Sequence, residues 1–384
     1  MAIYDINGNK LDAEIDISNT EDIKFENGIY ALKRRYDGVE SSFVSTNTSD
    51  NLLILAHITD IHCDVDRYTK VIQELEKHKD YINAIIMSGD LVDTPNTTQY
   101  GAMTECETGS IPIYKCVGNH DRAFSSTQMS LANIYSNWNC ETNTGKLYHY
   151  VDFATQGVRV IFLNQYDTTS TSVSVAGANS HYSQDQIDWF VTAMQGALTN
   201  GYAVLIVYHT MAENAQGSPI YNDKGFYQKN MTLGSASNIC SGAIIADIVH
   251  AFQTAGSVSQ TYTFSDTNDS VTVSASFASS GTFIGYVYGH AHVDQIGYSQ
   301  RYANQLCLRM AGLVVDSSIG RSEATAHWKS RYDVPRMIDT PSEIIVNLYG
   351  IDPKNKLVKV LRIGSDVTHD MEERKMACFS FLSE

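Results

Sequence analysis

The sequence predicts an α/β fold with its chemistry gathered where strands end. Short apolar runs alternate with stretches of helical periodicity, the pattern of sheets covered by helices. Several of these runs stop at a small cluster of Asp, Asn, His and Gly. The clusters come in order as Asp60-Ile61-His62, Gly89-Asp90, Gly118-Asn119-His120-Asp121, His209 and Gly289-His290-Ala291-His292. Open α/β sheets bind ligands at the carboxyl ends of their strands, so this placement predicts a site there.

Residues 1–50 read as an N-terminal β-hairpin extension or peripheral layer, with Asn7-Gly8 as the turn between two short alternating stretches. Residues 51–384 read as the main domain. Leu52 to Ala56 is its first strand, followed by a helix carrying Tyr68, Val71, Ile72 and Leu75 on one face. Ile82 to Met87 and Ile111 to Val117 are the next strands, each ending in a motif. Val158 to Leu163 is a strand, and Ser183-Gln184-Asp185-Gln186 reads as a capping box opening a helix with Ile187, Phe190, Val191 and Met194 on one face. Ala203 to Tyr208 delivers His209, Ala243 to Phe252 reads as an amphipathic helix, and Phe283 to Tyr288 delivers the Gly289 motif. A closing hairpin is expected from Ile344 to Ile351 and Leu357 to Ile363, turning at Asp352-Pro353-Lys354-Asn355. Insertions near 168–180 and 211–280, the latter including an alternating hairpin from Gln260 to Phe277, are expected to overhang the site.

Composition narrows the function. With 43% hydrophobic and 18% charged residues, the 384-residue chain has the makeup of an ordinary globular protein. No apolar run reaches the roughly 20 residues of a membrane span, and the start shows no secretory signal. The seven cysteines are scattered and odd in number, which points to reduced thiols and a cytoplasmic protein; a virion-associated protein, or one exported without a signal, stays open. A net charge of −16 disfavours nucleic acid and long polyanions as partners and leaves a small substrate.

Asp, Asn and His together suit Mn, Fe or Zn, whereas all-oxygen sites suit Mg or Ca. Two such ions held about 3.5–4 Å apart need an anion between them, and Asp90 is the natural bridge as the lone carboxylate of its strand end. Metals so placed lower the pKa of a shared water and bind phosphate oxygens, while a nearby imidazole protonates the leaving alkoxide. The reading from residues is a two-metal site for phosphate-ester hydrolysis.

In these five blocks the chain resembles the calcineurin-like metallophosphoesterase superfamily, whose pattern is D-x-H, G-D, G-N-H-[D/E], H and G-H-x-H. The resemblance covers roughly residues 52 to 364, with further matches at Tyr148-His149-Tyr150-Val151-Asp152-Phe153 and Gln186-Ile187-Asp188-Trp189. It implies a four-layer α/β/β/α sandwich of mixed sheets flanked by helices. It implies two divalent or trivalent ions, the first held by Asp60, His62, Asp90 and His292, the second by Asp90, Asn119, His209 and His290. The implied reaction is hydrolysis of a phosphodiester or phosphomonoester by a metal-bridging hydroxide, with His120 as general acid and Asp93 as the carboxylate pairing with it. Asn119 and His120 would also contact substrate, and Arg122 is a further candidate for phosphate against the alternative of a solvated loop arginine. His57, just before the first ligand strand end, is a candidate to support the ligands from behind, and Cys63 reads as a small apolar spacer.

Departures narrow the class. Thr94-Pro95 and Asp121 stand where protein phosphatases of the superfamily carry other residues, and Asn164 stands where many relatives carry Asp, with no assigned consequence for the metals. The alternatives are a nuclease of the same superfamily and a structural or phage-assembly protein retaining the fold.

Overall fold

The computed structural model describes residues 2–4, 10–14, 52–140, 142–168, 180–210, 236–264, 267–290, 292, 295–299, 301–302, 304–310, 312–313, 344–364 and 376–380. It opens with β1 (Ala2–Tyr4) and β2 (Lys10–Glu14), an antiparallel pair flanking Asn7-Gly8. Residues 15–51, on which the division into extension and main domain turns, lie outside the described residues.

Strands and helices then alternate. β3 (Leu53–Ile58), α1 (Val65–Glu76), β4 (Ala84–Met87), α2 (Thr97–Glu105) and β5 (Ile113–Lys115) come first. The single turn α3 (Asn119–Arg122), the small pair β6 (Ala123–Phe124) and β7 (Thr127–Gln128), and α4 (Leu131–Asn137) follow. Next are β8 (His149–Phe153), β9 (Val158–Phe162), α5 (Gln184–Asn200), β10 (Ala203–Val207) and α6 (Ala236–Thr254). The hairpin β11 (Ser257–Thr263) and β12 (Ser270–Ser276) precedes β13 (Phe283–Tyr288), β14 (Gln295–Tyr298) and β15 (Leu306–Arg309). β16 (Ile345–Asp352), β17 (Leu357–Gly364) and β18 (Met376–Ser380) close the order.

Two six-stranded mixed sheets result, ordered β18-β17-β16-β3-β4-β5 and β14-β15-β13-β10-β9-β8. In the first, β3, β4 and β5 run parallel; in the second, β9, β10, β13 and β15 do. Strands covered on both faces read as continuous apolar runs, and β3, β9, β10 and β13 are buried at every position. One face of the first sheet meets one face of the second through Leu53, Leu55 and Ile86 against Phe162, Leu205 and Val207. The other face of the first sheet packs on α1, α2 and α4, with Tyr68, Val71, Ile72 and Leu75 buried as their spacing predicts. The other face of the second packs on α5 and α6. Each fully buried Leu, Ile, Val or Phe contributes roughly 1.5–3 kcal/mol relative to exposure. The architecture is the expected four-layer α/β/β/α sandwich.

Three expectations change. Ser183 caps α5 by accepting from the Gln186 amide, but Gln186 does not complete the capping box. Its side-chain amide instead grips Asn164, donating to the carbonyl and accepting from the N–H, both at 2.9 Å. The helix expected as amphipathic is buried nearly all round from Ser241 to Phe252. The reason is the hairpin β11–β12, which lies on the helical layer instead of over the site. Its alternate residues Tyr262, Val271, Val273 and Ala275 share a core with α5 and α6, while Ser270, Thr272, Ser274 and Ser276 face solvent. Gln184 of α5 pairs with both backbone groups of Thr272, closing that strand edge. The remaining insertions, 169–179 and 211–235, lie outside the described residues.

Cys63, Cys106 and Cys116 are free thiols. Among the described residues no helix is long and apolar enough to cross a membrane.

His149 on β8 has a consequence for acid stability. It is 1% exposed and stacks flat on Phe162 at 4.6 Å, and neither ring nitrogen finds a hydrogen-bond partner among the described residues. Burial pushes its pKa down to about 3, so the folded chain holds it neutral while the unfolded chain protonates it near 6.5. Its unfolded form binds more protons between those values, so stability is complete above pH 6.5 and falls as pH drops toward 3. Between pH 7.5 and 5.5 the expected loss from this residue is about 1.4 kcal/mol. Urea denaturation of wild type and His149→Phe at both pH values checks it: the variant should lose less stability by that amount, and equal losses would remove His149 as the cause.

Candidate metal centre

The loops after β3 and β4 are laced together: the amides of Ile61 and His62 donate to the Asp90 carbonyl and that of Asp60 to the Gly89 carbonyl. The backbone here and after β13 takes an unusual conformation. Asp60, His62, Cys63, Asp90, His290 and His292 all have φ between 48° and 71°, the left-handed region. Asp and His tolerate it better than most residues, yet each instance still costs of order 1–3 kcal/mol and needs surroundings that over-determine it.

Two motif glycines explain how the carboxylates are aimed. A Cβ on Gly289 would stand 2.3 Å from Asp60 Oδ2, and one on Gly118 would stand 2.2 Å from Asp90 Oδ1. Without those atoms the chain comes close enough for backbone donors to reach. His290 N donates to Asp60 Oδ2 at 2.9 Å, helped by the Thr59 hydroxyl at 2.8 Å, and His120 N donates to Asp90 Oδ1 at 2.8 Å. One oxygen of each carboxylate is thus tied to the frame, and the other faces the histidines.

Two donor groups follow. In the first, Asp60 Oδ1 lies 3.2 Å from His292 Nε2, which lies 3.1 Å from His62 Nε2. In the second, His209 Nε2 lies 3.0 Å from Asn119 Oδ1 and 3.3 Å from His290 Nδ1, and His290 Nδ1 is 2.9 Å from the same Asn119 oxygen. Asp90 Oδ2 stands between the groups, 3.2 Å from His209 Nε2 and 3.6 Å from His62 Nε2. All seven residues proposed from sequence as ligands therefore come together. They hang from both sheets: Asp60, His62, Asp90 and Asn119 follow strands of one, His209, His290 and His292 strands of the other.

Electrostatics shows that the donors fit cations. Burial opposes charge on Asp60, but His292, His62 and His209 hold its carboxyl well below the usual range. Burial likewise opposes charge on Asp90, and His209, His120 and His62 outweigh it. Against burial, Asp90 and then Asp60 hold His209 up to about 9, whereas burial and the charge of His209 push His290 down to about 3. His209 Nδ1 donates to the Ser88 carbonyl at 2.7 Å, so a neutral His209 turns only a lone pair toward Asp90 and Asn119. Asp60 Oδ1, fully buried, accepts no hydrogen bond among the described residues. Donors that converge in this way could hold a metal ion, and a set of carboxylate, amide and imidazole groups fits a borderline metal such as Mn, Fe or Zn. Burial pushes the Cys63 thiol up, and Cys63 stands outside the groups of residues, among those described, that could hold a metal ion.

His120 lies beside this centre. Its Nδ1 donates to the Asp93 main-chain carbonyl at 2.7 Å, with Asp93 Oδ1 at 3.5 Å. The same carboxylate oxygen lies 3.6 Å from His62 Nδ1, so Asp93 serves two imidazoles. Phe124 stacks on the His120 ring at 4.0 Å. Burial opposes protonation of His120, but Asp90 and then Asp93 raise its pKa above the ordinary value.

Arg122 is not a solvated loop arginine. It is 4% exposed, and its guanidinium donates to the carbonyls of Met129 and, at 3.2 Å, Thr168, tying the loops on either side of the site. His57 does stand behind the ligands: its ring meets the Ser88 hydroxyl at 2.8 Å and the Tyr349 hydroxyl at 3.0 Å, and the Ser88 carbonyl holds His209. Sequence reasoning missed Thr59, Phe124 and the packing role of Asp121. Asp121 accepts from the backbone of both Gly118 and Val92, and burial with the nearby Asp90 charge pushes it up to about 6. A polar Thr59 just past the end of β3, a strand apolar except for His57, was the available signal for the first of these.

Residues 53–210 match the family described as calcineurin-like phosphoesterase. A solved dimetal phosphatase from Danio rerio superposes with a TM-score of 0.50 at 10% identity, over 86% of this chain and 99% of that one. A conserved protein of Streptococcus pneumoniae TIGR4, described as a predicted phosphoesterase, aligns at 10% identity over 86% of this chain and 98% of its own, with a TM-score of 0.33. No curated protein matches the sequence.

Proposed function

Because the chain belongs to the calcineurin-like metallophosphoesterase superfamily and is a phosphoester hydrolase, we propose that its centre binds two metal ions and cleaves a small phosphodiester or phosphomonoester. The observation that carries this reading is Asp90, whose Oδ2 lies within 3.2 Å of His209 and 3.6 Å of His62 and joins the two donor groups. Asp60, His62, Asp90 and His292 would hold one ion, and Asp90, Asn119, His209 and His290 the other. Manganese, iron and zinc suit this donor set. When bound, the ions supply positive charge for the phosphate oxygens and make water acidic enough to be a nucleophile near neutral pH.

The chain's own residues supply the rest. His120 is the proposed general acid: its Nδ1–H donates a hydrogen bond to the Asp93 carbonyl, so the Nε2 proton is the one directed to a leaving alkoxide. The negative charges of Asp90 and Asp93 keep that proton in place at higher pH than a solvated histidine would. Phe124 covers the ring and fixes its plane. A net charge of −16 weighs against a polynucleotide substrate.

The test uses the full chain loaded with Mn²⁺ and assayed on bis-p-nitrophenyl phosphate and p-nitrophenyl phosphate. Turnover of at least one, lost on chelation and regained on adding Mn²⁺, is expected. Two ions bound per chain with neither substrate turned over would sink the proposal.

A further inference from the structure

We propose that Gln165 is a positioning residue for the second metal site, acting through the main chain of His209; this rests on reading His209 as a ligand. Gln165 is fully buried, and its side-chain oxygen accepts from the N–H groups of both His209 (3.0 Å) and Thr210 (2.7 Å). Its side-chain nitrogen donates to the Thr210 carbonyl at 2.8 Å.

The reason lies in where the sheet stops. β9 and β10 pair in parallel as far as Phe162 opposite Val207, with one further bond from Leu163 N to the Val207 carbonyl. Beyond that point the chain after β9 turns aside. His209 and Thr210 would then have two buried N–H groups facing no strand. Buried backbone donors are almost always paired, and here a side-chain amide, with the acceptor and donor of a peptide group, takes the place of the missing strand. The ladder is thereby continued by one residue's side chain to the ligand itself. On the other side Gly289 N donates to the His209 carbonyl, and the ring is held by the Ser88 carbonyl. Tyr166, next to Gln165, adds a 2.6 Å hydroxyl contact to Thr210.

The support is one-sided. None of the hydrogen bonds described for Gln165 reaches Asp60, His62 or His292, so its loss should weaken one metal event and leave the other. Partners that orient a metal-bound histidine typically change affinity by about 10–100-fold when removed.

The experiment is stepwise Mn²⁺ titration of the metal-stripped full chain by calorimetry, with His209→Ala as reference. Two binding events are expected for the wild type, one of them abolished by His209→Ala. Gln165→Met, which keeps the volume and removes all three bonds, should weaken that same event by about 10–100-fold and hold the other within about twofold. Gln165→Glu keeps the acceptor oxygen and should lose less; it decides the matter if the Met variant does not fold, as judged by near-ultraviolet circular dichroism. Equal weakening of both events, or of neither, overturns the proposal while His209→Ala still loses one. If His209→Ala keeps both events, the ligand reading falls and the proposal with it.

Discussion

Asp90→Asn is expected to lose both metal ions together and to lower turnover by more than about 10²–10³-fold, the scale for removing one fixed electrostatic group from a buried site. The substitution is nearly isosteric, and Oδ1 can still accept from His120 N, so the loops keep their shape. What changes is the other atom. An NH₂ group replacing Oδ2 would put a donor 3.2 Å from His209 Nε2 and 3.6 Å from His62 Nε2, one in each donor group. On the proposed assignment each ion would lose a ligand, and the pair would lose the negative charge that Asp90 supplies to both. Metal per chain after Mn²⁺ loading and gel filtration is the direct measurement. An Asp90→Asn protein that retains one full equivalent would show that the carboxylate belongs to a single ion.

His120→Ala is expected to do the opposite: two ions retained, turnover reduced by about 10²–10⁴-fold on a substrate with an alkyl leaving group. With p-nitrophenolate, which leaves without a proton, the reduction should be much smaller. The contrast separates proton donation from a general disturbance, because a misplaced metal would slow both substrates alike. Asp93→Asn should be milder, since the carbonyl that holds the ring at 2.7 Å belongs to the main chain and survives the substitution. It removes a charge that raises the His120 pKa, so the protonated acid is lost at lower pH and the alkaline limb of kcat/KM moves down. Equal metal loss in Asp90→Asn and His120→Ala would contradict both assignments.

Much of this centre was legible because it depends on local rules. Strands buried on both faces must be apolar, so β3, β4, β10 and β13 stood out, and a motif placed past a strand end has only one edge to occupy. The seven residues read from the motifs as candidate ligands do come together. What stayed hidden depends on partners distant in sequence. Nothing near Arg122 tells that Thr168 will take its guanidinium, and nothing near Gln165 tells that β9 stops pairing just where His209 begins. The hairpin β11–β12 was visible as an alternating pair, but its destination was set by apolar surface on α5 and α6. Gln186 fits a capping box by its position and serves Asn164 instead, since the buried amide and carbonyl there had no other partner to satisfy them.

The proposed ligands hang from two sheets whose facing sides pack through a layer of apolar side chains, Leu55, Ile86, Phe162 and Leu205 among them. The thickness of that layer therefore sets the reach between Asp60 or Asp90 on one side and His209 or His292 on the other. A methylene removed deep between the sheets would let them settle or slide, and every proposed ligand would move with them at once. With the proposed ions bound, the close-packed layer between two β-sheets would act as the gauge against which an ion's radius is measured.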